Sequence, residues 1–224
     1  MQNLSRASPS NSAGRDARRA KIEQEQKEAQ AHEKRGQQIE AWKVSGVPDR
    51  HRGRQVGELK THAKWAAAFD AACQVVDRGG ILALVGERGS GKTQCGVELV
   101  RRYCLRRRAC RYVRVRDIGL NIRASYDAAQ HLSEAEVIAE FTRPRLLVVD
   151  EVQERTTTDF AKETLTYILD CRYGVRLPTV LIGNATEDGF KKIVGPAIVD
   201  RLREGGGVIV FSWPSFRGRQ GGES

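Results

Sequence analysis

Apolar residues along this chain gather in short runs. ILALV at 81–85, LLVV at 146–149 and VLI at 180–182 are continuous apolar stretches bounded by glycine, proline or charged residues. Runs of this length suit strands buried on both faces. Between them, apolar positions recur three and four apart, the spacing of one helix face. The pattern predicts strands near 81–85, 110–115, 145–150, 178–183 and 207–212, and helices near 92–107, 133–141, 157–173, 187–193 and 197–203. A further helix is expected over 59–76, where Trp65, Phe69 and Cys73 share one face. Regular alternation of strand and helix implies a parallel sheet covered on both sides, an α/β domain over 59–224.

The first quarter of the chain has a different pattern. Residues 1–14 are rich in Ser, Asn and Gly and read as a disordered lead. Residues 15–44 are strong helix formers in which Ile22, Ile39 and Trp42 are the main large apolar side chains. A helix polar almost all round is either a solvated arm or a partner-binding element, and the pattern leaves both open. Ser45-Gly46-Val47-Pro48 breaks that helix and opens a basic linker over 45–58.

Composition narrows the class. No stretch approaches the roughly 18 apolar residues of a membrane span, and the N-terminus has no apolar core of a secretory signal. The five cysteines form no C-x-x-C pair and no ligand spacing with histidine, which points to reduced thiols in a cytoplasmic protein. A formal charge of +10 suggests a polyanionic partner. Residues 101–116 hold eight arginines and no acidic residue, a self-repelling run unless something anionic lies against it.

The chemistry is concentrated after the first predicted strand. Gly86-Glu87-Arg88-Gly89-Ser90-Gly91-Lys92-Thr93 has the spacing G-x-x-x-x-G-K-T, between a strand and a helix start. Glycines permit the tight turn, successive N–H groups form a nest for phosphate oxygens, and the helix N-terminus adds partial positive charge. Lys92 would reach the β/γ-phosphates of a nucleoside triphosphate and Thr93 would coordinate Mg²⁺. The strand at 145–150 delivers Asp150 to its end for the same Mg²⁺, with Glu151 beside it to polarise water. Asn184 closes the next strand, where an amide can orient that water. Arg201 and Arg217 are basic candidates far along the chain, and spacing alone does not separate them from surface arginines.

Together the segments SGVPDRH, GERGSGKT, LLVVDE, LPTVLIGNAT and VDRLREGGGVIVFSWPSFR resemble the DnaC-type helicase loaders of bacteria and phages, in the DnaC/IstB group of AAA+ ATPases. The resemblance runs from about Ser45 onward, and the W-x-S-F-R ending is its most specific part. It implies a P-loop AAA+ ATPase core with a five-stranded parallel sheet flanked by helices, no separate helical lid, and an N-terminal helical arm. By the same resemblance, Gly86 to Thr93 is the Walker A loop, Asp150 and Glu151 are Walker B, and Asn184 is sensor 1. Arg201 is the arginine finger to a neighbouring subunit, and Arg217 is the sensor-2 arginine. It also implies ATP and Mg²⁺ as ligands, a DnaB-type replicative helicase gripped by the arm at 15–44, single-stranded DNA, and a spiral assembly when ATP is bound. The expected location is the cytoplasm of a bacterial or phage-infected cell. An IstB-type transposition helper, acting with a transposase on duplex DNA, shares this core and is the alternative.

Overall fold

In a computed structural model the described residues are 10–53, 57–106, 108–126, 133–154 and 159–216. The chain divides into two compact units, one up to Glu40 and one from Ala41 onward.

The first unit is the body of helix α1 (Ser10–Val44). Its described side chains are almost all exposed, Ile22 and Ile39 included. Strong helix formers and pairs one turn apart sustain it, such as Glu23–Lys27 at 3.0 Å and Gln24–Glu28 at 2.7 Å. Each pair of this kind contributes about 0.2–0.5 kcal/mol. The lead expected to be disordered over 1–14 is helical from Ser10; residues 1–9 lie outside the described residues.

The second unit carries α2 (Asp49–Arg52), α3 (Gly57–Thr61), α4 (Ala63–Asp77), β1 (Ile81–Gly86), α5 (Lys92–Leu105), β2 (Cys110–Arg114), α6 (Val115–Ser125) and α7 (Glu134–Thr142). Then follow β3 (Leu146–Asp150), α8 (Asp159–Gly174), β4 (Thr179–Gly183), α9 (Glu187–Val194), α10 (Pro196–Gly205) and β5 (Gly207–Phe211). The strands form one parallel sheet in the order β2-β3-β4-β1-β5. Among the described residues nothing helical follows β5. Strand residues alternate between two cores. Leu82, Leu84, Leu146 and Val148 pack with Trp65 of α4 and Leu99 of α5. Ile81, Ala83, Leu147 and Val149 pack with Ile118 of α6, Phe141 of α7, Leu169 of α8 and Ile198 of α10. The expected sheet and its flanking layers are therefore present.

Two features depart from the sequence pattern. Val115, expected to end a strand, opens α6 with no intervening loop. Gly119 and β-branched residues lower its intrinsic helix propensity, while burial of Val115, Ile118 and Ile122 on one face holds it. The segment 45–58, expected to be a linker, is largely part of the core unit. Val47 is buried, and Tyr112 of β2 donates its N–H to the Ser45 carbonyl at 2.6 Å. Gly46 lies at φ +80°, and any Cβ there would strike the Tyr112 carbonyl. Only glycine lets the chain pass so close to the sheet edge.

Arg172 of α8 is fully buried, and among the described residues it has no carboxylate partner. Its guanidinium donates to Thr179 Oγ1 (2.8 Å) and to the carbonyls of Phe141 (3.0 Å), Pro144 (2.8 Å) and Pro178 (2.7 Å). It therefore joins the start of β4 to the connection between α7 and β3. Burial pushes its pKa down to about 10.

Candidate functional site

β1 and its two neighbours β4 and β5 end together, and the chain turns back over that edge into α5. This is the switch point of the strand order, where open α/β sheets form a crevice. Gly86, Gly89 and Gly91 all have positive φ, at +138°, +86° and +90°. Gly91 caps α5 without a side chain, so no side-chain oxygen occupies the first N–H groups of that helix. Lys92 is buried, with Nζ 2.6 Å from the Glu87 carbonyl and 3.3 Å from Ser90 Oγ. Ser90 Oγ donates in turn to the Glu87 carbonyl at 2.9 Å. The side chains of Glu87 and Arg88 face solvent, so these two residues shape the cradle through their backbone.

Across from the loop, β3 brings Asp150 to its end. Thr93 Oγ1 donates to Asp150 Oδ2 at 3.0 Å, although the two residues are 57 positions apart. Asp150 Oδ2 also accepts a short hydrogen bond from the Tyr112 hydroxyl, and Oδ1 accepts the Glu151 N–H at 2.7 Å. Burial, together with the charge on Asp150, pushes the Tyr112 hydroxyl well above its ordinary pKa, so it remains a donor. A hydroxyl and a carboxylate thus converge beside the lysine, and among the described residues no group of three or more His, Cys, Asp or Glu is arranged to hold a metal ion by itself. That donor set fits Mg²⁺, which takes few protein oxygens and completes its shell with phosphates and water.

Glu151 sits at φ +56°, a left-handed conformation uncommon outside glycine. Its carboxyl pKa is raised by burial first, then by the charges of Glu154 and Asp150, while Arg114 and Arg50 pull it back. Asn184 follows β4, and its N–H donates to Gln153 Oε1 at 2.8 Å. Gln153 was not singled out from sequence; its place two residues past Glu151 was the available signal.

The structure brings the loop, Asp150 and Glu151 to one edge of the sheet, with Asn184 at the adjacent end of β4. It places Arg201 elsewhere. Arg201 is ion-paired with Asp170 at 2.7 Å, donates to the Ala197 carbonyl at 2.8 Å and lies 5.7 Å from the Tyr173 ring centre. Asp170 and Tyr173 flank Arg172, which holds the opposite end of the sheet, where β4 begins. Arg217 lies outside the described residues.

The arginine run at 101–116 has much of its counter-charge within the chain. Arg101 pairs with Glu98, Arg102 and Arg106 with Asp77, Arg111 with Glu140, and Arg114 with Asp117. These carboxylates come from other elements or other turns and are invisible in the run itself. The self-repulsion argument for an external polyanion therefore does not hold for these five side chains.

Aromatic residues brace the outer side of the loop. Trp65 Nε1 donates to the Gly91 carbonyl at 3.1 Å, Trp213 Nε1 to the Ser90 carbonyl at 3.0 Å, and the Phe216 N–H to the Gly89 carbonyl at 3.0 Å. His62 packs edge-on to Phe216 at 5.1 Å and lies 5.6 Å from Trp213. Sequence reasoning placed Trp65 on a helix face and the W-x-S-F-R segment in the resemblance, without connecting either to the loop.

Residues 58–224 match the family model for IstB-like ATP binding proteins. The chain belongs to the IstB-like ATP-binding family. ATP binding is thereby the family's property. The replicative helicase loader DnaC of Escherichia coli (strain K12) is 26% identical over 139 residues, covering 62% of this chain and 56% of that protein. DnaC of Buchnera aphidicola subsp. Acyrthosiphon pisum (strain APS) is 24% identical over 133 residues, covering 59% and 54%. The chain thus spans about half the length of the curated relatives it matches. Among solved structures, a DnaC helicase loader superposes with a TM-score of 0.55 at 16% identity, covering 75% of this chain and 97% of that one. DnaI superposes with a TM-score of 0.54 at 18% identity, covering 80% and 93%. These two likenesses concern the AAA+ fold.

Proposed function

We propose that this IstB-like protein is an ATP-hydrolysing helicase loader, whose nucleotide state governs its assembly on single-stranded DNA and its grip on a DnaB-type replicative helicase. The observation that carries the reading is the 3.0 Å bond from Thr93 to Asp150, which closes a phosphate cradle against an acidic strand end. Gly86 to Lys92 would hold the phosphates, with Lys92 reaching the β/γ positions. Thr93 and Asp150 would hold Mg²⁺, which when bound neutralises charge building on the phosphates. Glu151 orients and deprotonates the attacking water, and its raised pKa makes it a better proton acceptor than an ordinary glutamate. Asn184, fixed through its backbone by Gln153, aligns that water. Arg201 serves the cradle of the next subunit in a spiral, and Arg217 contacts nucleotide in its own subunit.

Helix α1, whose described side chains up to Glu40 are almost all exposed, is the proposed handle for the helicase, and the cytoplasm of a bacterial or phage-infected cell the proposed setting. The test is co-purification with a DnaB-type helicase, repeated after removal of residues 1–40. The cut stops there because Ala41 and Trp42 belong to the core unit, where the Arg101 guanidinium lies 5.2 Å from the Trp42 ring centre. Capture by the full chain and its loss on truncation are expected, together with ATP hydrolysis stimulated by single-stranded DNA. A second reading is an IstB-type transposition helper acting with a transposase on duplex DNA, prompted by the match to the IstB-like family model. Preference for duplex DNA without helicase capture selects it.

A further inference from the structure

We propose that Trp65 and Trp213 are positioning residues of the phosphate cradle, whose indole N–H groups hold the loop in its anion-receiving shape before nucleotide arrives. The proposal rests on the reading of residues 86–93 as the ATP cradle.

Three consecutive loop carbonyls, Gly89, Ser90 and Gly91, are each held by a donor from outside the loop. Trp65 comes from α4, 26 residues before Gly91; Trp213 comes from the segment after β5, 123 residues beyond Ser90. In a trans peptide the C=O and the following N–H point in opposite directions. Carbonyls drawn outward toward the aromatic residues therefore aim the N–H groups of Ser90 and Gly91 to the other side. The Gly91 carbonyl is shared between Trp65 and the Cys95 N–H of α5 at 2.9 Å, and together these set the direction of the Lys92 N–H. Glycine-rich loops have the most backbone freedom to lose, so without such ties the loop samples many shapes. Apparent affinity then falls in proportion to the fraction of loops in the competent shape.

The fit is tight. A Cβ on Gly91 would lie 2.7 Å from Trp65 Nε1, and Trp65 is fully buried. His62 caps α4 by accepting the Trp65 N–H at 3.3 Å and packs on Trp213 and Phe216, so the two indoles share one brace. Core packing alone requires the rings and not their N–H groups. Here both indole N–H groups end on the loop.

The experiment measures binding of a fluorescent ATP analogue to the full chain carrying Trp65→Phe, Trp213→Phe or both, with Lys92→Ala as control. Inorganic tripolyphosphate serves as competitor. Loss of both N–H groups is expected to raise Kd about tenfold, and at least threefold, with tripolyphosphate weakened by the same factor. If a phenylalanine variant fails to fold, benzothienylalanine at the same position keeps the ring shape while replacing N–H by sulfur. A rise below threefold in the double variant overturns the proposal, as does weakening of the ATP analogue without weakening of tripolyphosphate. Normal binding by Lys92→Ala would refute the cradle reading itself, a separate outcome.

Discussion

Arg201→Ala, alone and mixed with Lys92→Ala, tests whether the ATP site is shared between subunits. Arg201 is held by Asp170 and Tyr173 near the C-terminal end of α8, the end that leads into the start of β4, whereas the cradle lies where β1 ends. Strand β1 has six residues and so spans roughly 17 Å at 3.3 Å per residue. Arg201 therefore does not serve its own cradle, and any role in hydrolysis must be played on a neighbour. Leaving Asp170 is inexpensive: the two side chains are 24% and 43% exposed. Ion pairs at that exposure contribute about 0–1 kcal/mol. Against this, an arginine supplied to the phosphates accelerates transfer by about 10³-fold or more. Arg201→Ala should thus bind ATP within about twofold of the parent and unfold normally, while hydrolysis by the DNA-bound assembly falls by about 10²-fold or more. Lys92→Ala should bind no ATP but keep its arginine. In an equimolar mixture about half the subunits have a working cradle and about half of those face an intact arginine, so hydrolysis should recover to roughly a quarter of the parent rate. A steady-state phosphate-release assay reads all three samples. Full activity of Arg201→Ala in the assembled state, or no recovery on mixing, would refute the shared site.

Other substitutions probe the chemistry and the frame. Glu151→Gln should bind ATP yet hydrolyse it at least about 10²-fold more slowly, and the acid limb of the parent's pH–rate profile should lie above the ordinary glutamate value of 4.5. Since folding raises this pKa, ionised Glu151 costs stability that appears as pH rises through 4.5 toward the folded value. Thermal melts should therefore show Glu151→Gln more stable than the parent at pH 7 and indistinguishable from it at pH 4. Arg172→Met removes a guanidinium that satisfies five neighbouring acceptors, and urea denaturation should register a loss of about 3–5 kcal/mol. A loss below about 1 kcal/mol would mean those carbonyls find other partners.

The legible part of this protein was written in local pattern. Continuous apolar runs marked β1, β3 and β4 because strands covered on both faces need no polar alternation. The cradle was readable because close approach to phosphate demands glycines at set intervals, and those demands act within eight residues. Helix α6 was missed because its stability lies in burying Val115, Ile118 and Ile122 against the sheet, while Gly119 obscures its intrinsic signal. The linker at 45–58 was misjudged for a similar reason. Its proline and glycine look like a break, yet Gly46 is there to let the chain press against Tyr112. The arginine run shows the reverse error, where a striking local charge is answered by Asp77, Glu98, Asp117 and Glu140 once the chain folds.

By itself the sequence determined the glycine-rich turn, the acidic strand end and the kinds of element that carry them, because turn geometry and hydrophobic period are properties of neighbouring residues. The meeting of distant residues belonged to the tertiary structure. Thr93 and Tyr112 converge on one carboxylate oxygen of Asp150, Arg201 is carried away from its own cradle, and two tryptophans from opposite ends of the core unit grip the same loop. Those arrangements follow from the strand order and from which helix faces must be buried together. Contacts across 26 to 123 residues leave no periodic trace in the chain.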